Sequence, residues 1–118
     1  MEFIKAPSFT ELLADYLDDD GYRELQLQLT RDPDAGDVIP GTGGFRKLRW
    51  ADRRRHKGKR GGLRIIYYYL IADTQIWLMT LYDKDTMADL SAAEKRALKG
   101  AIERETRERA RRTTRGRE

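Results

Sequence analysis

Arg64, Tyr82 and Lys84 are the residues on which chemistry can be built in this chain. They belong to two β-branched and aromatic runs, Leu63 to Ala72 and Gln75 to Tyr82, which read as consecutive strands. If Ala72-Asp73-Thr74 closes them as a three-residue hairpin loop, Arg64 stands directly opposite Tyr82 and Ile66 opposite Thr80. A two-residue turn would slip the register by one and set Arg64 against Asp83. In both registers Arg64, Tyr82 and Lys84 gather at the end of the hairpin away from its turn. The basic stretch Arg53-Arg-Arg-His-Lys-Gly-Lys-Arg60 enters the sheet at that same end through Gly61-Gly62. Cations around a phenol suit a phosphodiester. Attack by a ribose 2′-OH needs a base for the hydroxyl proton, cations for the pentavalent phosphorane and an acid for the departing 5′-oxygen. Lysines crowded by other cations lose part of their preference for the ammonium form. Lys57, Lys59 and Lys84 are therefore candidates for the acid and base duties, Arg64 for the clamp on phosphate, and Tyr82 for orienting the nucleophile or stacking on a base. The scheme needs no metal and no cofactor.

The charge distribution agrees with a polyanionic partner. Residues 44–72 carry ten basic side chains and one acidic, whereas residues 1–43 carry three basic and ten acidic. The formal net charge of +4 conceals this segregation. Arg49, Arg53, Arg54, Arg55 and Arg60 are the candidate RNA-binding residues. His56, the one histidine, sits among arginines and reads better as a solvated loop residue than as a general base. Alternation splits the aromatic run: Tyr67 and Tyr69 share a face with Ile65 and Ile71, and Tyr68 shares the other with Arg64 and Ile66. Core packing is expected for most of them, and also for Trp50 and Trp77. Gly41-Thr-Gly-Gly44 lacks the Lys-Ser/Thr and following helix of a phosphate-cradling loop, so a turn is expected. No histidine or carboxylate cluster has metal-ligand spacing.

The elements that must position these residues follow from punctuation and periodicity. Phe3-Ile4 is a short first strand. Ser8 with Glu11 three residues on is a capping-box pattern opening a helix with Leu13, Tyr16 and Leu17 on its apolar stripe. Asp18-Asp19-Asp20 suits the start of a second helix, in which Tyr22, Leu25 and Leu29 recur to about Thr30. Val38 to Gly44 is a connector, and Phe45 to Trp50 alternates as a strand. Ser91 with Glu94 marks a second capping box, opening a last helix with Leu90, Ala93, Ala97, Leu98, Ala101 and Ile102 on a thin apolar stripe. The expected fold is α+β: a small antiparallel meander with two N-terminal helices and one C-terminal helix, the helices on one face. At 118 residues the chain holds one domain, placed over 1–108, with 109–118 as a disordered basic tail. No run is long and apolar enough to span a bilayer, and the absence of cysteine fits a cytoplasmic protein without disulfides.

The stretch Gly41-Thr-Gly-Gly-Phe-Arg-Lys-Leu-Arg-Trp50, then Gly58-Lys-Arg-Gly-Gly-Leu-Arg-Ile-Ile-Tyr-Tyr-Tyr69, Leu81-Tyr-Asp-Lys84 and Met87 to Glu94, resembles the HigB/RelE-like branch of the RelE/ParE toxin superfamily. The resemblance spans about residues 20–105. It implies the microbial RNase fold and the toxin of a type II toxin–antitoxin system, a ribosome-dependent mRNA endoribonuclease that inhibits translation by metal-independent cleavage. It implies as partners the ribosome, mRNA and a cognate antitoxin of helix-turn-helix type, with operator DNA bound only by the toxin–antitoxin complex. The family's basic loop falls on Lys57, Lys59 and Arg60, its strand arginine on Arg64, and its later aromatic and basic pair on Tyr82 and Lys84. Asp83 and Asp85 are further candidates, because some relatives rely on aspartate or histidine. Two rivals stand beside this reading: a gyrase-poisoning toxin of the same fold, and a catalytically silent nucleic-acid-binding regulatory module.

Overall fold

The computed structural model describes residues 1–52 and 62–117. Along the chain run β1 (Glu2–Lys5), α1 (Pro7–Tyr16), α2 (Asp19–Arg31), β2 (Asp37–Val38), β3 (Arg46–Trp50), β4 (Leu63–Leu70), β5 (Gln75–Asp83) and α3 (Ala92–Arg117). The class is α+β, as expected. The strands form one five-stranded sheet in the order β1-β5-β4-β3-β2. β2 to β5 pair antiparallel, whereas β1 lies parallel to β5, with Phe3 against Ile76 and Ile4 against Trp77. The sheet is therefore mixed rather than a pure meander, because α1 and α2 carry the chain away after β1 before the meander begins.

The helices occupy both faces, which corrects the expectation that they share one. Phe9 of α1 and Leu25 and Leu29 of α2 pack on Leu63, Ile65, Tyr67, Ile76, Leu78 and Leu81. Leu98 and Ile102 of α3 pack with Ile39, Phe45, Ile66, Tyr82 and Leu90 on the opposite side. The cause is legible in β4: Ile65 and Ile66 are adjacent and point to opposite faces, and both are fully buried. A central strand apolar on both sides must be covered on both sides.

Caps and turns fix the remaining geometry. α1 begins with Pro7 in its first turn and Ala6 as its uncapped N-cap, so the Ser8 capping box does not form. Ser8 lies inside the helix and its hydroxyl meets that of Thr80 at 2.8 Å. Asp18 caps α2 through the Gly21 N–H. The second capping box does form: Ser91 N–H donates to Glu94 Oε1 at 2.8 Å, and Glu94 N–H to Ser91 Oγ at 3.1 Å. α3 does not fray near Glu108 but continues to Arg117. Arg109 holds it against the hairpin through Asp73 (2.7 Å) and Gln75 (2.6 Å). The Gly41–Gly44 segment is a turn. Its Gly44, at φ +116°, brings backbone so near the Tyr68 ring that a Cβ would sit 3.0 Å from it. Among the described residues, no helix is long and apolar enough to cross a membrane.

Candidate nucleic-acid interface

The pairing that carries the site is Arg64 opposite Tyr82 and Ile66 opposite Thr80. It arises by a different route from the three-residue loop. Leu70 pairs with Gln75, so the connection is Ile71–Thr74, a 3-10 turn closed by Thr74 in the left-handed region. Tyr67 then pairs with Leu78 and Ile66 with Thr80, which leaves Met79 as the extra residue of a bulge. Turn and bulge offset each other by one residue. Arg49 on β3 pairs with Arg64, so Arg49, Arg64 and Tyr82 form one row across β3, β4 and β5. The row lies on the face that α3 covers, since Tyr82 packs among Phe45, Ile66, Leu90 and Leu98.

The members of the row differ in exposure. Arg49 is open to solvent, whereas Arg64 is 5% exposed and Tyr82 6% exposed. Arg64 Nη1 donates to the Leu63 carbonyl at 3.2 Å. The Tyr82 hydroxyl oxygen is buried and has no hydrogen-bond partner among the described residues. Burial pushes its pKa up, the Asp89 and Glu94 carboxylates push the same way, and the Arg64 guanidinium pulls against them. Tyr82 is thus a neutral phenol across the physiological range. It can donate a proton or a hydrogen bond, but it is a poor base.

Lys84 is exposed and follows β5 directly, its backbone N–H reaching the Gly62 carbonyl at 3.3 Å. Asp83 is wholly buried; its carboxylate accepts the Asp85 N–H at 2.9 Å and its carbonyl accepts from Thr86 and Met87. These bonds give Asp83 a turn-forming role and place Asp85 in that turn. The structure therefore brings together Arg49, Arg64, Tyr82 and the strand end that carries Lys84. Lys57, Lys59, Arg60, Arg53, Arg54 and Arg55 lie outside the described residues, as does His56. The chain leaves β3 at Asp52 and returns at Gly62, both beside this end of the sheet.

Two groups near the row escaped the sequence reading. Lys47 Nζ meets Asp89 Oδ1 at 3.3 Å, and Asp89 is held below the usual carboxylate range first by the Leu90 N–H and then by Lys47. Asp52, two residues past the end of β3, is fully buried. Asp89 precedes the α3 cap by two residues, but only the fold brings that cap over the row. The aromatic residues behave as packing: Phe45 contacts Tyr68 at 5.2 Å in a T-shaped arrangement and Trp77 at 6.0 Å. Tyr67 is core, and Trp50 and Tyr69 pack against the α1–α2 side. No protein-family model matches the chain.

Proposed function

We propose that this protein is a ribosome-dependent mRNA endoribonuclease of the RelE/HigB-like kind, acting as the toxin of a type II toxin–antitoxin pair. The observation that carries the reading is the Arg49–Arg64–Tyr82 row, in which a neutral phenol with no partner among the described residues stands beside a guanidinium. In the proposed reaction the ribose O2′ attacks phosphorus and loses its proton to a base. The P–O5′ bond breaks, and O5′ takes a proton, leaving a 2′,3′-cyclic phosphate and a 5′-hydroxyl. Arg49 and Lys84, the exposed cations, meet the phosphate first, and Arg64 balances charge on the phosphorane. Tyr82 belongs on the acid side, donating to a phosphate oxygen or to O5′, because its raised pKa keeps the proton in place. Base duty then falls to a lysine, with Lys57, Lys59 and Lys84 as candidates. The ribosome supplies the ordered mRNA substrate, and a helix-turn-helix antitoxin is the neutralising partner.

One observation favours a second reading. Both Arg64 and Tyr82 are nearly closed to solvent, as they would be in a nucleic-acid-binding module that does no chemistry. Inducible expression with mapping of mRNA 5′-ends separates the two. The nuclease reading expects growth arrest and codon-phased cuts that disappear in Tyr82→Phe and Lys84→Ala. Arrest with DNA breaks and intact mRNA would instead indicate gyrase poisoning, and intact mRNA without arrest would leave the binding module.

A further inference from the structure

The face of the sheet that carries the Arg49 row also carries a second set of cations, on the outside of α3. At about 100° per residue, Arg96, Arg104, Arg107 and Arg111 fall within roughly 80° of arc, opposite the buried Leu98 and Ile102. They extend about 22 Å along the helix axis at about 1.5 Å per residue. All four are exposed. Glu108 answers Arg111 at 3.7 Å, while Arg96, Arg104 and Arg107 make no ion pair or hydrogen bond among the described residues. Glu103 and Glu108 stand four residues from Arg107 and Arg104, close enough for helix pairing, yet neither makes that bridge. On the inner side of the same helix Arg109 is tied to Asp73, Gln75 and Glu105. Packing therefore accounts for the inner arginine and leaves the outer ones unexplained.

We propose that this outer row docks the phosphate backbone of double-stranded RNA, beside and distinct from the Arg49–Arg64–Tyr82 row. The chemistry favours this occupant. Guanidinium groups grip phosphate bidentately, and eight of the ten cations in residues 91–118 are arginine. No phenylalanine, tyrosine or tryptophan occurs in that segment, so it offers no platform for unpaired bases. A straight cationic ridge without aromatics reads backbone and shape, the way duplex RNA is recognised. The capped start of α3 lies near Tyr82, through Glu94, so the ridge continues outward from the candidate site. The choice of RNA over DNA rests on the nuclease reading above.

The test compares the full-length protein with the triple variant Arg96→Gln, Arg104→Gln, Arg107→Gln. Binding to an RNA duplex of about 20 base pairs is followed by fluorescence anisotropy across a salt series, with circular dichroism to show that α3 stays helical. The expected result is a logarithmic salt slope shallower by about one per arginine removed, and affinity at low salt reduced at least about tenfold. A DNA duplex of the same sequence should bind no more tightly than the RNA. An unchanged slope in the triple variant, tighter binding to DNA, or displacement of the RNA by polyglutamate as readily as by unlabelled duplex would each overturn the proposal. The two readings fail separately. Wild-type protein that cuts no mRNA but binds duplex through the ridge sinks the nuclease alone, and cleavage with ridge-independent binding sinks the ridge alone.

Discussion

Tyr67 and Tyr82 sit on the same antiparallel strand pair, on opposite faces of the sheet, and both are buried. Their hydroxyls have opposite fates. Tyr67 Oη donates to the Pro33 carbonyl at 2.7 Å and accepts the Gly36 N–H at 2.9 Å, which pins the α2–β2 connection to the core. Tyr82 Oη has no partner among the described residues. A buried hydroxyl left unsatisfied costs about 1–3 kcal/mol, an expense that Tyr67 avoids through its two hydrogen bonds. The contrast separates a phenol that ties a connection to the core from one whose hydroxyl makes no bond among the described residues.

The sharpest way to break this comparison is Tyr82→Phe. Cleavage should fall by about 100-fold or more, the scale of a lost general acid, while stability stays level or rises by up to about 1 kcal/mol as the orphan group goes. Retained cleavage in the mRNA 5′-end assay would remove Tyr82 from the chemistry. Tyr67→Phe should do the reverse. Chemical denaturation should show a loss of about 1–3 kcal/mol, because the Gly36 N–H and Pro33 carbonyl lose their partner, with activity per folded molecule intact. A stability loss larger in Tyr82→Phe than in Tyr67→Phe would erase the distinction.

Titration sharpens the same point. Burial raises the pKa of Tyr22, Tyr67 and Tyr82 above the ordinary 10.0. In the unfolded chain these phenols lose their protons first, so the folded state binds more protons above that value. Stability should hold below about pH 10 and fall as pH climbs through the raised folded values; a rise instead would contradict the burial. Phenolate absorbance should appear later than in the denatured protein. The smallest effect is expected from Ser91→Ala, at about 1 kcal/mol, since it opens the capping box that sets α3 beside Tyr82. A loss well above that in thermal melts would mean the cap supports the row itself and not one helix end.

Local signals were readable directly in the residues. The Ser91–Glu94 box, the Asp18 start of α2 and the inward set on β4 follow from capping chemistry and period-two alternation. What escaped depends on distance or on competition between local signals. Nothing near Phe3 states that its partner is Ile76, far along the chain and parallel. Ser8 looked like a cap, yet Pro7 is already fixed at the helical φ and starts the helix two residues earlier, with Ala6 as the N-cap. Polar residues 109–117 suggested disorder, but they continue a run of Ala, Glu and Arg with good helix propensity, anchored by Arg109. For the site, Arg64 opposite Tyr82 was foreseeable, whereas Asp89 and Lys47 meet only after α3 folds across the sheet.

Met79 gives the hairpin one residue of slack. With that residue looped out, the ladder on the far side resumes as though it were absent: Thr80 still faces Ile66 and Tyr82 still faces Arg64. Deleting Met79 would convert the bulge to regular pairing and leave every partner beyond it unchanged. The strand thus behaves like a vernier. The turn end, where Asp73 and Gln75 receive Arg109, can lose one residue, the bulge being taken up, without dragging the opposite end out of alignment. Length at the tip and alignment of Arg64 with Tyr82 are mechanically independent in this hairpin.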